Sequence, residues 1–252
     1  MERWSGRVAV VTGASAGIGA AIAQELVKKG LKVVGLARRV DRVEELSAAL
    51  SSESGKLFPL KCDIIRETDI KDAFKWIKSN LGGVDILVNN AGVASENSLM
   101  RGPVDSWRSI LELNVLALSV CTKEAIQSMQ ERSVNDGHII HMNSVSGHTM
   151  PPTIFPIYMY AASKNAVTIL TEGLRRELVE QNSNIRVTSI SPGLVKTEIL
   201  DVSRNAICSE SVYRNYAHLE AKDVAEAVLY VLGTPPHVQV HELIIKPSGE
   251  IS

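Results

Sequence analysis

The segment near the N-terminus places the strongest constraint on the fold. Val8–Thr12 is a run of small and β-branched apolar residues that is typical of a buried strand. Glycines follow at three positions within residues 13–19, and apolar residues then recur at helical spacing over residues 22–27. A strand that passes through a glycine turn into a helix presents free backbone N–H groups and a helix N-terminus to an anion such as a pyrophosphate. A tight turn without a ligand remains the alternative, because a glycine pattern alone is a weak signal.

The rest of the chain repeats this alternation of strand and helix. Such alternation favours an α/β fold of the doubly wound kind, with a central parallel sheet of about seven strands and helices on both faces. No linker, low-complexity tract or internal repeat divides the chain, so residues 1–252 are predicted to form a single domain. Further strands are predicted at residues 31–36, 57–63, 84–88, 137–142, 185–190 and 240–245, and helices at residues 42–46, 69–81, 107–132, 161–180 and 221–232.

Composition excludes several classes of function. The formal net charge is -1 and no block of Lys or Arg is present, which argues against a nucleic-acid partner. No uninterrupted apolar run approaches the ~18–20 residues needed to span a bilayer. Cys62, Cys121 and Cys208 are widely spaced, which fits free thiols in a reducing, cytoplasmic compartment. Histidines and cysteines are not clustered at ligand spacing, so no metal site is predicted.

A second motif, Tyr160-x-x-x-Lys164, carries a possible chemistry. Residues four apart lie on the same face of a helix, so the ammonium of Lys164 can approach the phenol of Tyr160. A nearby cation stabilises the phenolate and lowers the pKa from ~10, which would let the phenol act as a general acid and base. Such a pair also arises by chance. Tyr158 is the local rival, although it does not lie four residues before a lysine.

These motifs together resemble the short-chain dehydrogenase/reductase family over nearly the whole chain. The resemblance implies a Rossmann-type fold and hydride transfer between a nicotinamide cofactor and an alcohol or carbonyl. It assigns the acid/base role to Tyr160 and the lowering of its pKa to Lys164, while Ser144 orients the substrate oxygen and Asn114 extends the proton path. Ser146 is the local alternative to Ser144. The motifs that carry the resemblance are Thr12-Gly13-x-x-x-Gly17-Ile18-Gly19, Asn89-Asn90-Ala91-Gly92, Asn114, Ser144, Tyr160-x-x-x-Lys164 and Pro192-Gly193.

The resemblance also implies a set of cofactor contacts. Asp63 and the backbone of Ile64 are expected to hold the adenine, although Asp63 would also suit a simple turn. The segment that follows Pro192 matches the family's nicotinamide clamp. The full predicted set is Gly13, Ser15, Ala16, Gly17, Ile18, Gly19, Arg38, Arg39, Asp63, Ile64, Asn90, Ala91, Gly92, Tyr160, Lys164, Pro192, Gly193, Val195 and Thr197.

The end of the second predicted strand indicates which cofactor is preferred. An enzyme that selects NAD commonly has a carboxylate there, whereas the 2′-phosphate of NADP requires a cation. Here Arg38 and Arg39 follow the strand, and guanidinium groups match phosphate in charge and geometry. NADP(H) is therefore predicted in preference to NAD(H). A solvated arginine pair is the alternative, and Ala16 stands where many NADP-using relatives carry a second basic residue.

At finer grain the chain is similar to the branch of the family that contains dehydrogenase/reductase member 11 and farnesol dehydrogenase. That likeness implies a small apolar alcohol or ketone as substrate, either an isoprenoid such as farnesol or a hydroxysteroid. The apolar, proline-rich residues 150–156 are predicted to border the substrate, and residues 194–220 to form a lid. A ketoacyl reductase of the fatty-acid type and a non-catalytic dinucleotide-binding scaffold are the alternatives. The resemblance further implies a homodimer or homotetramer.

Overall fold

In the computed structural model, which describes residues 1–95, 98–150, 156–202 and 209–250, a seven-stranded sheet runs through the molecule. The strand order is β3-β2-β1-β4-β5-β6-β9, and each neighbouring pair is parallel. The predicted α/β fold with a parallel sheet is therefore confirmed. The strands are β1 (Val8–Thr12), β2 (Lys32–Ala37), β3 (Lys56–Lys61), β4 (Ile86–Asn89), β5 (His138–Met142), β6 (Arg186–Pro192) and β9 (Glu242–Ile245).

Helices cover both faces of the sheet. The first face is covered by α1 (Gly17–Lys28), α2 (Val40–Ala49) and α9 (Ala221–Gly233). The second is covered by α3 (Glu67–Leu81), α5 (Leu118–Glu131) and α6 (Tyr158–Glu180). The remaining α-helices in the described part of the chain are α4 (Val104–Leu111), α7 (Ile199–Val202) and α8 (Ser209–Asn215). No helix within the described ranges is both long and apolar enough to cross a membrane.

Alternation of side chains along β1 explains why the strand is apolar throughout. Val8 and Val10 pack into the core beneath α3 and α5, whereas Ala9 and Val11 pack into the core beneath α1 and α9. A strand in the middle of a parallel sheet is buried on both faces, so both sets must be apolar. The helix that follows, α1, ends before Gly30, whose φ of +83° is a left-handed conformation that a glycine adopts without strain.

The order of the strands determines where a ligand can bind. The chain builds β1, β2 and β3 towards one edge and then returns to add β4, β5 and β6 on the other side of β1. In open parallel sheets, a crevice forms beyond the carboxyl ends of the strands at such a reversal. The glycine turn after β1 and the asparagines that end β4 meet at this point.

Two regions differ in detail from the expectation. The long helical pattern begins at Val104 rather than at residue 107, and a π-helical segment, Glu112–Ala117, lies between α4 and α5. The predicted lid contains the short helices α7 and α8, and β7 (Val195–Lys196) pairs with β8 (Leu219–Glu220) at its base. Residues 151–155, most of the predicted substrate loop, lie outside the described residues, as do lid residues 203–208 with Cys208.

Candidate active site

The turn after β1 and the start of α1 are packed so closely that a larger side chain would be strained at Gly13 and would clash at Gly19. Gly13 has a φ of +69°, and a Cβ atom there would lie 3.0 Å from the Cα atom of Ala91. At Gly19, a Cβ atom would lie 2.3 Å from the carbonyl oxygen of Gly13 and 2.4 Å from the Nδ2 atom of Asn90. The missing side chains let the turn, the first turn of α1 and the end of β4 pack together. This is the cradle that a pyrophosphate requires.

Side chains of Thr12 and Asn90 join the ends of β1 and β4. The Thr12 hydroxyl accepts hydrogen bonds from the backbone N–H groups of Asn90 and Ala91, both at 3.0 Å. In return the Asn90 side-chain amide donates to the Thr12 carbonyl oxygen at 2.9 Å. Thr12 is thus a supporting residue of the site, which the sequence reasoning treated only as part of the motif.

A cavity of about 400 Å³ lies along this edge of the sheet. It runs past the ends of β1 to β5 and reaches α6, so residues far apart in the sequence share one wall. Apolar residues outside the predicted cofactor contacts also contribute, namely Val93, Leu113 and Ile199, and Ile199 belongs to the predicted lid. The predicted residues that line the cavity are Gly13, Ser15, Ala16, Gly17, Ile18, Arg38, Arg39, Asp63, Ile64, Asn90, Ala91, Gly92, Tyr160, Lys164 and Thr197.

The other predicted residues do not line the cavity. Val195 is buried and pairs with Leu219, and the backbone N–H of Leu194, next to Gly193, donates to the carboxylate of Glu250 at 3.2 Å. Gly19, Asn114, Ser144 and Pro192 also lie outside the cavity lining. Thr197 does reach the cavity beside Gly17, since a Cβ atom on that glycine would lie 3.1 Å from the Thr197 methyl group.

The structure is compatible with both predicted roles of Asp63, contact with the adenine and formation of a turn. It lines the cavity at the end of β3, where an adenine would lie. Its carboxylate also accepts a hydrogen bond from the N–H of Ile65 at 3.3 Å, which is the geometry of a turn.

At the α6 end of the cavity, Tyr160 and Lys164 lie together. The ammonium of Lys164 is 5.7 Å from the centroid of the Tyr160 ring and donates a 2.8 Å hydrogen bond to the carbonyl oxygen of Met142, at the end of β5. Tyr160 lines the cavity and Tyr158 does not. The structure therefore presents Tyr160, rather than its rival, to a bound ligand.

Burial dominates the titration of this pair. It raises the pKa of Tyr160 above its usual value, and the interaction of the phenol with the Ser144 hydroxyl opposes that rise. Burial also lowers the pKa of Lys164 to about 8. Burial is the largest influence on the pKa of this phenol, so the expected lowering of that pKa by Lys164 stays a prediction.

Ser144 is oriented by the turn that it begins. Its hydroxyl oxygen accepts a hydrogen bond from the backbone N–H of Ser146 at 3.2 Å, which leaves the hydroxyl proton available towards Tyr160. Asn143, which the sequence analysis passed over, lies beside it and donates to Thr168 at 2.9 Å and to Ser189 at 3.2 Å. Its position directly after β5, one residue before Ser144, was the signal that could have identified it.

Asn114 lies in the π-helical segment and is buried. Its side-chain oxygen accepts a hydrogen bond from the N–H of Val93 at 2.9 Å, and its amide donates to the Val93 carbonyl at 2.9 Å and to the Ser163 hydroxyl at 3.0 Å. The side chain therefore binds the loop that follows β4 and connects it to α6. Positioning of that loop is the role that the contacts support directly.

The two arginines at the end of β2 differ in their contacts. Arg38 is exposed, lines the cavity and makes no ion pair within the described residues. Arg39 donates to the carboxylate of Glu198 at 2.9 Å, and Arg42 donates to the other oxygen of that carboxylate at 2.7 Å. The sequence analysis did not single out Glu198, and only the fold brings it to this end of the cavity.

Comparison with known proteins agrees with this geometry. A family model described as short chain dehydrogenase matches residues 7–207. Dehydrogenase/reductase SDR family member 11 from Mus musculus is 50% identical, over 100% of this chain and 98% of that protein. Farnesol dehydrogenase from Aedes aegypti is 53% identical, over 99% of each chain. Among solved structures, the closed form of a serine dehydrogenase complexed with NADP+ superposes with a TM-score of 0.85 at 31% identity, covering 94% of each chain.

Proposed function

The chain belongs to the short-chain dehydrogenase family and is an oxidoreductase of the alcohol dehydrogenase kind, and from this premise we propose that it interconverts an apolar alcohol and its carbonyl with NADP(H). The observation that supports it is that Tyr160 and Lys164 line one end of a cavity that begins at the β1 glycine turn, where Ser144 forms a hydrogen bond with the Tyr160 phenol. A ligand that lies on the glycine cradle and extends to α6 would reach Tyr160 and Lys164.

Each catalytic residue has a distinct role in the proposal. When bound, the nicotinamide cofactor supplies or accepts the hydride. Tyr160 transfers the proton to or from the substrate oxygen, and its raised pKa keeps the phenol protonated at neutral pH, which is the form that donates a proton to a carbonyl. Ser144 orients that oxygen through its hydroxyl group. Lys164, fixed by the Met142 carbonyl, holds the nicotinamide ribose.

Preference for NADP(H) rests on charge at the end of β2. Arg38 and Arg39 line the cavity, and no carboxylate occupies residues 37–39, where an enzyme that selects NAD commonly has one. A guanidinium group binds a 2′-phosphate through charge-assisted hydrogen bonds that a ribose hydroxyl cannot replace. A similar structure, at 31% identity, is described as complexed with NADP+.

Apolar side chains that line the cavity support the proposed substrate class. Val93, Leu113 and Ile199 line the cavity, and a relative at 53% identity is named farnesol dehydrogenase. We therefore place an isoprenoid alcohol such as farnesol, or a hydroxysteroid, as the substrate. Among the described residues, no contact specifically favours the ketoacyl reductase alternative, and relatives that are named dehydrogenases favour an enzyme over a non-catalytic scaffold.

An alcohol series tests this assignment. Each buried CH₂ contributes roughly 0.8 kcal/mol, so kcat/KM should rise stepwise with chain length until the pocket is filled. The series would extend to farnesol and a hydroxysteroid, with a sugar alcohol as the polar control, and would be measured with NADP+ and with NAD+. Preference for the sugar alcohol would contradict the apolar pocket, and equal efficiency with both cofactors would contradict the NADP preference.

We also propose assembly through the long helices. α4, the π-helical segment and α6 expose large apolar side chains to solvent, including Val104, Leu116 and Ile169, which are 58%, 60% and 67% exposed. Ile244 on β9 offers a second apolar surface. A homodimer or homotetramer would cover them. Sedimentation at micromolar concentration should show one of these species, and a monomer would contradict the proposal.

We also propose a cytoplasmic location, since Cys62 and Cys121 are free and buried.

A further inference from the structure

The carboxylate of Glu198 bridges the two sides of the cofactor cavity. Glu198 follows Thr197 and directly precedes α7, at the base of the segment predicted to be a lid. Its two oxygens accept hydrogen bonds from Arg39 at 2.9 Å and from Arg42 at 2.7 Å, which are 159 and 156 residues away in the sequence. Arg39 precedes α2 and Arg42 lies within its first turn. The bridge therefore connects the lid base to the end of β2, where the adenosine half of a cofactor would lie.

From this geometry we infer that Glu198 is a specificity-determining residue, which competes with the 2′-phosphate of NADP(H) for Arg39 and so restrains the preference for NADP(H) over NAD(H). The inference rests on the proposed function, because it assumes that Arg39 binds that phosphate. A carboxylate and a phosphate are both anions that bind the same guanidinium donors. NAD(H) has no phosphate at this position and leaves the bridge intact.

Charge supports competition rather than shared binding. The two arginine contacts hold the pKa of Glu198 below its usual value, so its carboxylate is ionised at neutral pH. A phosphate bound by Arg39 would place two anions beside the same cation, and like charges at this distance repel. The hydrogen bond between Glu198 and Arg39 can break without leaving Glu198 unpaired. Arg42 can still pair with Glu198 when Arg39 binds the phosphate. Glu198 and the two arginines are 42–45% exposed, so screening by water keeps the competition modest.

The expected effect follows from that exposure. Glu198→Gln retains the shape of the side chain and removes its charge. It should tighten NADP+ binding roughly two- to fivefold, the range expected when one half-exposed ion pair no longer competes. The Kd for NAD+ should remain unchanged. If Glu198 instead closed the cavity over any bound cofactor, the same substitution would weaken both.

Calorimetric titration of the purified protein with NADP+, NAD+ and 2′,5′-ADP tests the inference without measuring turnover. The 2′,5′-ADP fragment carries the phosphate but no nicotinamide, so its affinity should rise with that of NADP+. Glu210→Gln is the matched control, because Glu210 also pairs with an arginine in the lid region, at 3.0 Å from Arg214, yet does not line the cavity. This control should leave all three affinities unchanged.

Arg39→Gln separates the inference from the proposed function. On its own it should weaken NADP+ but not NAD+, and in its background Glu198→Gln should no longer tighten NADP+. If Arg39→Gln weakens NADP+ selectively but Glu198→Gln produces no gain, the inference is wrong and the cofactor assignment stands. If Arg39→Gln leaves NADP+ affinity unaffected, Arg39 does not bind the phosphate and the inference is overturned, while the comparison of NADP+ with NAD+ in the unaltered protein tests the cofactor assignment separately.

Discussion

Replacement of Asn114 by alanine tests whether this residue acts by positioning the cofactor loop. Its side chain is 1% exposed and makes three hydrogen bonds, two to the backbone of Val93 and one to Ser163. After the replacement, the N–H and carbonyl groups of Val93 lose their protein partner. Ser163 retains a 2.7 Å hydrogen bond to the carbonyl of Tyr160. The cost therefore falls mainly on two backbone groups.

The magnitude follows from this count. An unpaired buried polar group costs about 1–3 kcal/mol, and water replaces part of the loss because Val93 is only partly buried. We expect Asn114→Ala to lower the free energy of unfolding by about 2–4 kcal/mol. For a chain of this size, 1 kcal/mol shifts the Tm by about 2–4 °C, so the expected fall is roughly 4–16 °C. Cofactor affinity should fall as well, since Gly92 and Val93 line the cavity.

Differential scanning calorimetry and cofactor titration would measure these effects, with turnover measured alongside. Asn80→Ala is a suitable control, because Asn80 is exposed and its amide donates to the Trp76 carbonyl on the surface of α3. Its Tm should change by less than about 2 °C, as for most surface substitutions. A normal Tm and normal cofactor affinity for Asn114→Ala, together with a loss of turnover, would refute the positioning role. That result would instead assign Asn114 a role in the proton path.

The remaining predictions concern the phenol and the glycine turn. Tyr160→Phe should lower kcat by about 10²–10⁴ and leave the Kd for cofactor within a few fold, because only the proton donor is lost; near-normal turnover would move the role to Tyr158 or end the mechanism. Gly19→Ala should weaken cofactor binding by at least about tenfold, because the new methyl group must displace the carbonyl of Gly13 in the phosphate cradle. Gly173→Ala is the control for that change, since a Cβ atom there meets no atom within 4 Å, and unchanged cofactor binding by Gly19→Ala would show that the cradle does not hold the cofactor.

Most of the fold could be predicted because each element has its own local pattern. Val8–Thr12 is β1 without any change of bounds, and the predicted helices at residues 69–81 and 221–232 differ from α3 and α9 by two residues or fewer. Apolar periodicity reports burial of a strand or helix directly, so these elements follow from the sequence. The π-helical segment around Asn114 could not be predicted from periodicity. Asn114 in this segment forms hydrogen bonds with Val93 and Ser163, which lie elsewhere in the chain, and local periodicity does not encode such contacts.

The sequence by itself determined the glycine turn, the Tyr160 and Lys164 pair and the family, because each is encoded by residue types at short, fixed spacings. Only the tertiary structure decided how these groups behave. Burial of the site raises the pKa of Tyr160, although its spacing from Lys164 predicts the opposite, and folding brings Glu198 to Arg39 across 159 positions of the chain. Desolvation and ion pairing depend on which surfaces meet in space. A pattern of neighbouring residues does not specify the distances between residues that are far apart in the sequence. The pKa values and ion pairs of this site are therefore determined only by the packing of the sheet and its helices.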